Sequence, residues 1–119
     1  MLRKTNFQQL RSTVTVVGSE WGTPSTIVVV SDVLTVTTER NITVESETGV
    51  TDTITQILGL DVGDEIRLSP KTGHTITVND GANMLTGPST ITLNNVDDTL
   101  QMQCIATGKC KQTGWTSVG

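Results

Sequence analysis

Short runs of β-branched residues alternate with polar residues along most of this chain, and this alternation constrains the fold more than any other feature. NITV, TITV and TITL recur at residues 41, 75 and 90, each with isoleucine and valine or leucine on one side. A period of two is typical of half-buried β-strands. Threonine, valine and isoleucine make up 23, 14 and 8 of the 119 residues, and their branched side chains favour pleated strands. No segment has a capped 3.6-residue period, so the sequence predicts an all-β fold.

Glycine-rich turns separate the expected strands, which are all short. Asp80-Gly81 in NDGAN is a strong turn signal, and we expect it to supply the positive φ angles of a tight turn. The last hairpin is expected to pair residues 98–105 with 109–116 and to turn at Thr107-Gly108. Other strands are expected at residues 12–17, 26–30, 33–37, 41–46, 52–57, 65–69, 74–78, 90–93 and 114–118.

The chain divides into three regions. Residues 1–11 form a basic, partly apolar N-terminal arm, residues 12–57 an N-terminal β region and residues 58–119 a β module. The β region fits either a separate sub-domain or a continuation of the module. Only 34% of the residues are hydrophobic, with one phenylalanine, two tryptophans and no tyrosine, so one chain has little to fill a broad interior. A narrow core shared by several chains would suit this composition, and we expect an oligomer.

Charge and hydropathy argue against two classes of partner. The formal net charge is -4 and the pI is near 4.7, whereas nucleic-acid-binding proteins carry basic surfaces. No apolar run approaches the ~20 residues of a membrane-spanning helix. The opening sequence MLRKTNFQQLRS lacks the apolar segment of a secretory signal. We therefore expect synthesis in the cytoplasm, with neither nucleic acid nor membrane as a partner.

The single histidine, His74, has Asp64, Glu65 and Asp80 near it in the sequence, a combination that invites an enzymatic interpretation. General acid–base catalysis needs a histidine held by a partner and facing a pocket. His74 instead follows a turn glycine at the start of a strand, where a packed or solvated structural side chain is the commoner case. The G-x-S-x-G and H-E-x-x-H motifs do not occur in the sequence. The sequence therefore predicts no enzyme activity.

Acidic residues cluster in LDVGDE and NVDD, which contain Asp61, Asp64, Glu65, Asp97 and Asp98. Paired carboxylates can act in catalysis by a glycosidase or bind calcium. An ion site on a symmetry axis is therefore the alternative to a structural role for these acids. Aspartate is also favoured at turns, because its side chain bonds the local backbone. No EF-hand loop pattern is present. We expect structural turn acids, with no metal and no cofactor.

Cys104 and Cys110 bracket the segment IATGK and would face each other across the expected last hairpin. Such a pair could form a disulfide in an oxidising medium, since bridging requires Cα atoms within about 7 Å. Two free thiols are the ordinary state of a protein that folds in the cytoplasm. With one distant histidine, the pair does not supply the ligand set of a zinc site.

The tryptophans and the arm are the candidate contact residues. Trp21 lies in an expected loop, which indicates either contact with a partner or packing within the chain. Trp115 is expected either to stack on a sugar or to pack at the end of an aliphatic core. The arm is either a docking segment or a frayed terminus. The candidate partner-binding residues are Leu2, Arg3, Lys4, Phe7, Leu10, Arg11 and Trp21.

The stretch from Leu60 to Gly119 resembles a module of tailed-bacteriophage virion proteins. The module has a G-D turn, a G-x-x-I-T-V strand, a D-G turn, a short strand, a D-T-L strand and a terminal G-x-W. In this chain these elements read VGDEIRLSPKTGHTITVNDGANM, STITLNNVDDTLQMQCI and TGWTSVG, in order, over about half of the sequence. QMQCIATGKCKQTGW departs from the aromatic-rich strand usual there, which leaves the geometry of the last hairpin open.

This resemblance implies a fold and a function. Such modules occur in tail fibres and capsid decoration proteins, often as trimers of intertwined short strands. It therefore implies a homotrimeric, β-helix-like or β-prism-like shaft at the capsid surface of a virion. The implied function is that of a capsid decoration (cement) protein bound to the major capsid protein; a tail-fibre or receptor-binding protein for host glycans is the alternative. The residues implied to line or close the threefold axis are Ile66, Leu68, Ile76, Val78, Ile91, Leu93, Leu100 and Trp115.

Overall fold

The computed structural model describes residues 21–87 and 89–118. These residues form β-strands joined by turns, which confirms the all-β prediction, and none of their segments is a helix that could cross a membrane. The strands are β1 (Ser25–Val28), β2 (Val33–Thr35), β3 (Asn41–Glu45), β4 (Thr51–Ile54), β5 (Gln56–Leu58), β6 (Glu65–Pro70), β7 (Thr75–Val78), β8 (Met84–Leu85), β9 (Ile91–Leu93), β10 (Thr99–Ala106) and β11 (Lys109–Thr116).

Parallel strands from successive passes of the chain stack on one another, as in a β-solenoid. β1, β3 and β6 lie side by side in that order, β2 pairs with β5, and β4 pairs with β7. Three coils result. The first contains β1 and β2, the second β3, β4 and β5, and the third β6 and β7.

The aliphatic residues of the alternating segments lie inside the coils and stack in register. Ile42 in β3 is aligned with Leu68 in β6, and Ile54 in β4 with Val78 in β7. All four side chains are fully buried, while Thr43, between two inward-facing residues, is only half-buried. Burial of one such aliphatic side chain stabilises the fold by about 1.5–3 kcal/mol. The aliphatic residues that recur with a period of two therefore form the interior of the coils.

Antiparallel strands close the C-terminal end of this solenoid. β9 pairs with β7 and β10 pairs with β6, so both strands of the third coil are covered. β10 and β11 form the predicted hairpin, at Thr99–Ala106 and Lys109–Thr116, and β8 pairs in parallel with β11. The other end differs, because the outer edge of β1 has no partner among the described strands.

The expected strand at 52–57 is instead two strands, β4 and β5. The chain turns a corner at Thr55, whose backbone N–H donates to the Asp32 carbonyl of the first coil at 2.8 Å. That bond lies outside the ladder of either strand, so it interrupts the regular pairing at the corner. The strand expected at 12–17 lies outside the described residues.

The turn in NDGAN forms with backbone angles that differ from those expected. Gly81 and Met84 exchange two backbone hydrogen bonds, of 2.8 and 3.3 Å. Neither Asp80 nor Gly81 has a positive φ, so that part of the prediction is wrong. Glycines with a positive φ lie instead in the turns on either side of β6, with φ of 97° at Gly63 and 82° at Gly73. β8, which follows the NDGAN turn, is too short to show a period and was not expected.

One apolar cluster runs through the described residues, from Val29 in the first coil to Cys110 in the last hairpin. The parts of the two predicted β regions that the structure describes therefore share one interior. Trp115, by contrast, is 46% exposed. The aliphatic residues implied to line a threefold axis are enclosed by one chain, so their burial needs no second copy. They are Ile66, Leu68, Ile76, Val78, Ile91, Leu93 and Leu100, each at most 3% exposed.

Candidate functional site

His74 joins turns of two neighbouring coils. Its Nδ1 accepts the Ser46 backbone N–H at 3.2 Å, and Ser46 Oγ lies 3.1 Å from the same nitrogen. Ser46 is buried, and its hydroxyl donates to the Gly49 carbonyl. A nucleophilic serine would pass its proton to the histidine. In this geometry the proton points to a carbonyl, so the pair fastens the turn at 46–49 of the second coil to the third.

We expect replacement of His74 by alanine to destabilise the fold modestly. The Ser46 backbone N–H loses its acceptor while Ser46 stays buried, which costs about 1–2 kcal/mol. Thr72→Ala, in the same turn and exposed, is the matched control and should change the free energy of unfolding by less than about 0.5 kcal/mol. Urea unfolding of both variants checks this. Equal effects of the two changes would contradict the structural role of His74.

The Asp64 carboxylate holds the turn that leads into the third coil. Its Oδ2 accepts the Asp61 N–H at 2.9 Å and pairs with the Arg40 guanidinium at 3.0 Å. Both charged side chains are about a third exposed, so solvent screens the pair and its contribution is about 0–1 kcal/mol. The Asp64 carbonyl also accepts the Cys104 N–H at 2.8 Å, which ties the turn to β10. The turn-acid prediction is confirmed here.

Asp98 is a fully buried carboxylate that holds two separate segments. Oδ2 accepts the backbone N–H groups of Asn94 and Asn95 at 3.0 and 3.1 Å. Oδ1 accepts the Val118 N–H at 2.6 Å. Because these donors lie before β10 and after β11, Asp98 fixes both ends of the hairpin that covers the third coil. This is also a structural turn acid, as predicted.

The remaining acids that the sequence singles out are dispersed. Asp80 accepts the Thr86 N–H at 3.1 Å. Asp97 and Glu65 are exposed. Within residues 21–87 and 89–118, no three His, Cys, Asp or Glu side chains lie close enough together to hold a metal ion, and the surface carries no pocket. The described acids and His74 therefore do not converge on a shared site.

Cys104 and Cys110 lie directly opposite each other in the β10–β11 hairpin, and both are free and buried. Burial raises the pKa of the Cys110 thiol to about 12, and the neighbouring Cys104, which is hydrogen-bonded to it, adds to the increase. The Cys104 thiol also contacts the Ala106 carbonyl, at 3.1 Å. The prediction that the two cysteines face each other is confirmed. At neutral pH Cys110 is a neutral thiol.

This raised pKa predicts a loss of stability in alkali. Folded Cys110 keeps its proton up to about pH 12, while an unfolded cysteine loses it near pH ~8.5. Between these values the native state binds more protons, so its stabilisation, complete below pH ~8.5, decreases by up to ~1.4 kcal/mol per pH unit. Urea unfolding at pH 8 and pH 10 should show a steeper loss for the wild type than for Cys110→Ala. Identical pH dependences would contradict the assignment.

The outer edge of β1, which pairs with no other strand in the described part of the chain, is the described surface best suited to a partner. An unpaired strand edge presents backbone donors and acceptors to any chain that can add a strand. Val28 and Val30 are 41% and 56% exposed beside this edge. The Asn41 side-chain amide donates to the Gly22 carbonyl at 2.9 Å, which holds Gly22 against the second coil. We call β1 and Val30 the first-coil edge.

A two-residue turn next to this edge has unusual backbone angles. Ser31 and Asp32 have φ of 51° and 64°, a region that residues other than glycine rarely adopt. The Ser31 N–H donates to Glu47 Oε1 at 3.0 Å, and the Asp32 carbonyl accepts the Thr55 N–H at 2.8 Å. Both bonds come from the second coil. The second coil therefore holds this exposed turn, and Val30 with it, in place.

The candidate contact residues of the sequence lie in different places. Trp21 is half-buried just before β1, and the six arm residues from Leu2 to Arg11 lie outside the described residues. Trp115 lies on β11, where it is in register with the buried Leu100 of β10. The exposed valines at positions 28 and 30 were not singled out, because isolated apolar residues within a β-branched run give no signal of exposure.

Comparison with known proteins adds no identification. No protein-family model matches this sequence, no curated protein is similar to it, and no solved structure matches the fold.

Proposed function

We propose that this chain is a structural virion protein of a tailed bacteriophage, a capsid decoration (cement) protein that binds the head shell as a homotrimer. The resemblance of residues 60–119 to phage virion modules supports this proposal. The observation that carries it is the contrast between the two ends of the solenoid. The chain's own strands cover the third coil, whereas no strand of residues 21–87 and 89–118 pairs with the outer edge of β1.

A rigid body with a docking arm suits reinforcement of a shell. The turn acids and His74 hold turns, so the described polar side chains brace the solenoid. The arm carries Arg3, Lys4 and Arg11 together with Leu2 and Phe7. Basic and apolar residues on one short segment fit a partner surface that is acidic at its rim and apolar at its centre. We assign that surface to the major capsid protein.

The trimer contact we propose uses the first-coil edge. An axis lined by Ile66 and the other enclosed aliphatic residues would require three chains to exchange strands, because one chain already buries them. The first-coil edge needs no such exchange. Its backbone groups and its exposed Val28 and Val30 can bond and pack against a neighbouring copy. A closed ring of three copies would cover each edge once.

Charge reversal in the arm should abolish most capsid binding. Phage heads that lack the decoration protein are incubated with the purified wild type, with the double variant R3E/K4E and with the control K109E/K111E, which carries the same charge change on β11. We expect the wild type to saturate the heads and raise their melting temperature. The arm variant should bind about tenfold more weakly, since opposite charges at an interface are replaced by like charges. The control should bind within about twofold of the wild type.

Two results would contradict the proposal. Failure of the wild-type protein to bind at saturating concentration would exclude a decoration role on those heads. Equal losses in the arm variant and the β11 control would show that total charge, rather than the arm, decides binding. Both variants should keep the wild-type melting temperature, which separates a loss of contact from a loss of fold.

Glycan adhesion, as in a tail-fibre or receptor-binding protein, is the second candidate, and the exposure of Trp115 favours it. An indole that is 46% exposed on a β-hairpin can stack on the apolar face of a sugar ring. A glycan array probed with the wild type and with Trp115→Ala decides this. Binding that Trp115→Ala abolishes would favour adhesion over capsid decoration, and an empty array would exclude it for the sugars presented.

A further inference from the structure

We propose that Cys104 and Cys110 form a redox lock: a dithiol during folding in the cytoplasm, and a disulfide that fastens the β10–β11 hairpin in an oxidising medium. Nothing in this inference depends on the proposed function. It follows from the backbone positions of the two residues, from their burial and from what the hairpin covers.

The backbone places the pair at a position suited to a bridge. The Cys104 N–H donates to the Asp64 carbonyl, and the Cys104 carbonyl accepts the Gly63 N–H, both at 2.8 Å. The Cys110 N–H donates to the Asn83 carbonyl at 3.0 Å. These groups point away from the partner strand, so Cys104 and Cys110 form a non-hydrogen-bonded pair. The Cα atoms of such pairs lie about 4.5 Å apart with their side chains close, within the ~4.4–6.8 Å range of disulfides.

The two thiols are close enough to interact in the folded protein. The Cys104 thiol adds to the raised pKa of Cys110, and the two residues lie directly opposite each other in the hairpin, so a bond between the sulfurs needs no large movement of either strand. Oxidation by hydrogen peroxide is balanced within the pair. Peroxide oxidises one sulfur to a sulfenic acid with release of water, and the second thiol displaces a second water to form the disulfide. Together the two thiols lose two electrons and two protons, which reduce hydrogen peroxide to two molecules of water.

Burial controls when this reaction occurs. Cys104 and Cys110 are 1% and 0% exposed, and Cys110 is protonated at neutral pH, whereas attack requires the thiolate. Peroxide therefore reaches the sulfurs when the hairpin opens locally and does not reach them in the closed fold. The lock should form slowly in the native protein and rapidly under conditions that open the hairpin.

The bond would secure the strands that cover the third coil. β10 pairs with β6, and the Gly108 carbonyl at the hairpin tip accepts the Gln56 side-chain amide at 3.1 Å. The Cys110 N–H links β11 to the segment before β8. Detachment of the hairpin would expose the third coil. A disulfide would hold β10 and β11 together and would stabilise the folded hairpin, because it lowers the conformational entropy of the unfolded chain.

The test uses the full-length reduced protein and hydrogen peroxide. Samples are incubated with peroxide in buffer and at a urea concentration just below the unfolding midpoint, then alkylated and measured by intact mass. We expect the loss of two hydrogens within one chain at least about tenfold faster in urea. Peptide masses should show no added oxygen on Cys104 or Cys110, whereas oxygen on the three methionines is a separate reaction of peroxide. After removal of peroxide and urea, the oxidised protein should melt about 5–10 °C higher. Dithiothreitol should reverse this increase.

Cys104→Ala and Cys110→Ala serve as controls, and neither should show the two-hydrogen loss or the increase in melting temperature. The wild type decides the question by itself if a variant is unstable, because its oxidised and reduced forms differ only in the bond. Stable sulfenic or sulfinic products, bonds between chains, or a disulfide that lowers the melting temperature would each overturn the proposal.

Discussion

Gly59→Ala is expected to destabilise the protein by more than about 4 kcal/mol or to prevent folding. A Cβ at this position would lie 1.8 Å from the Val36 carbonyl oxygen and 2.9 Å from its carbonyl carbon. The backbones cannot separate cheaply, because the Val36 N–H donates to the Leu58 carbonyl at 2.9 Å. Gly59 also has a φ of 97°, which a side chain disfavours. Urea unfolding, with circular dichroism to confirm β-structure, measures the effect.

Gly63→Ala is the matched control. Gly63 has the same φ of 97°, but a Cβ there would meet nothing within 4 Å. The expected cost is therefore the conformational one alone, about 1–2 kcal/mol. The difference between the two variants isolates the close approach of the first and second coils at Val36 and Gly59. Similar costs for the two substitutions would show that the coils do not pack as closely as the structure has them.

The second large effect is expected at Asp98. Replacement by alanine removes the acceptor of three backbone N–H groups, those of Asn94, Asn95 and Val118. Hydrogen bonds to a buried charged group contribute about 1.5–3 kcal/mol each, but these donors lie near the surface and water replaces part of the loss. We expect a decrease of about 3 kcal/mol in the free energy of unfolding.

Asp97→Ala, one residue away, removes the same charge from an exposed side chain. It should change the free energy of unfolding by less than about 0.5 kcal/mol. Amide hydrogen exchange is a second measurement. Asp98→Ala should increase the exchange rates of Asn94, Asn95 and Val118 and leave the exchange rates of the second coil unchanged. Faster exchange spread evenly over the solenoid would contradict a local role for Asp98.

The local features of this fold could be predicted from the sequence. A period of two and turn glycines act over a few residues, so the strands at 41–45, 65–70 and 75–78 were expected nearly where they lie. The hairpin at Thr107-Gly108 was expected for the same reason, and with it the facing cysteines. Aspartate at turns was also predictable, because it bonds the nearby backbone, as Asp64 does at Asp61. The bond from Val118 to Asp98 joins distant segments and could not be predicted in this way.

The stacking of the coils could not be predicted in this way. NITV and TITV look alike, and nothing within them says that Ile42 aligns with Leu68 or Ile54 with Val78. That register depends on packing between segments distant in sequence. The link between Ser46 and His74 is of the same kind. Gly59 was not singled out either, since its importance comes from Val36 on another coil.

The composition predicted a core shared by several chains, and the structure revises the reason for that prediction. A chain with few aromatic residues was expected to need partners to fill its interior. The solenoid avoids this need because its coils are narrow, and isoleucine, leucine and valine from facing strands fill the space between them. A trimer, if it forms as we propose, joins bodies that are already folded. Its contacts then come from exposed residues such as Val28 and Val30.

The most direct test of this account is the molar mass of the full-length protein by light scattering across a hundredfold dilution. We expect three times the 12.7 kDa of one chain, independent of concentration, because a closed ring of three copies covers each first-coil edge once. Val28→Lys and Val30→Lys together should shift this mass towards one chain without loss of β-structure. A wild-type monomer at every concentration would contradict the trimer, and with it the capsid decoration role in the form proposed.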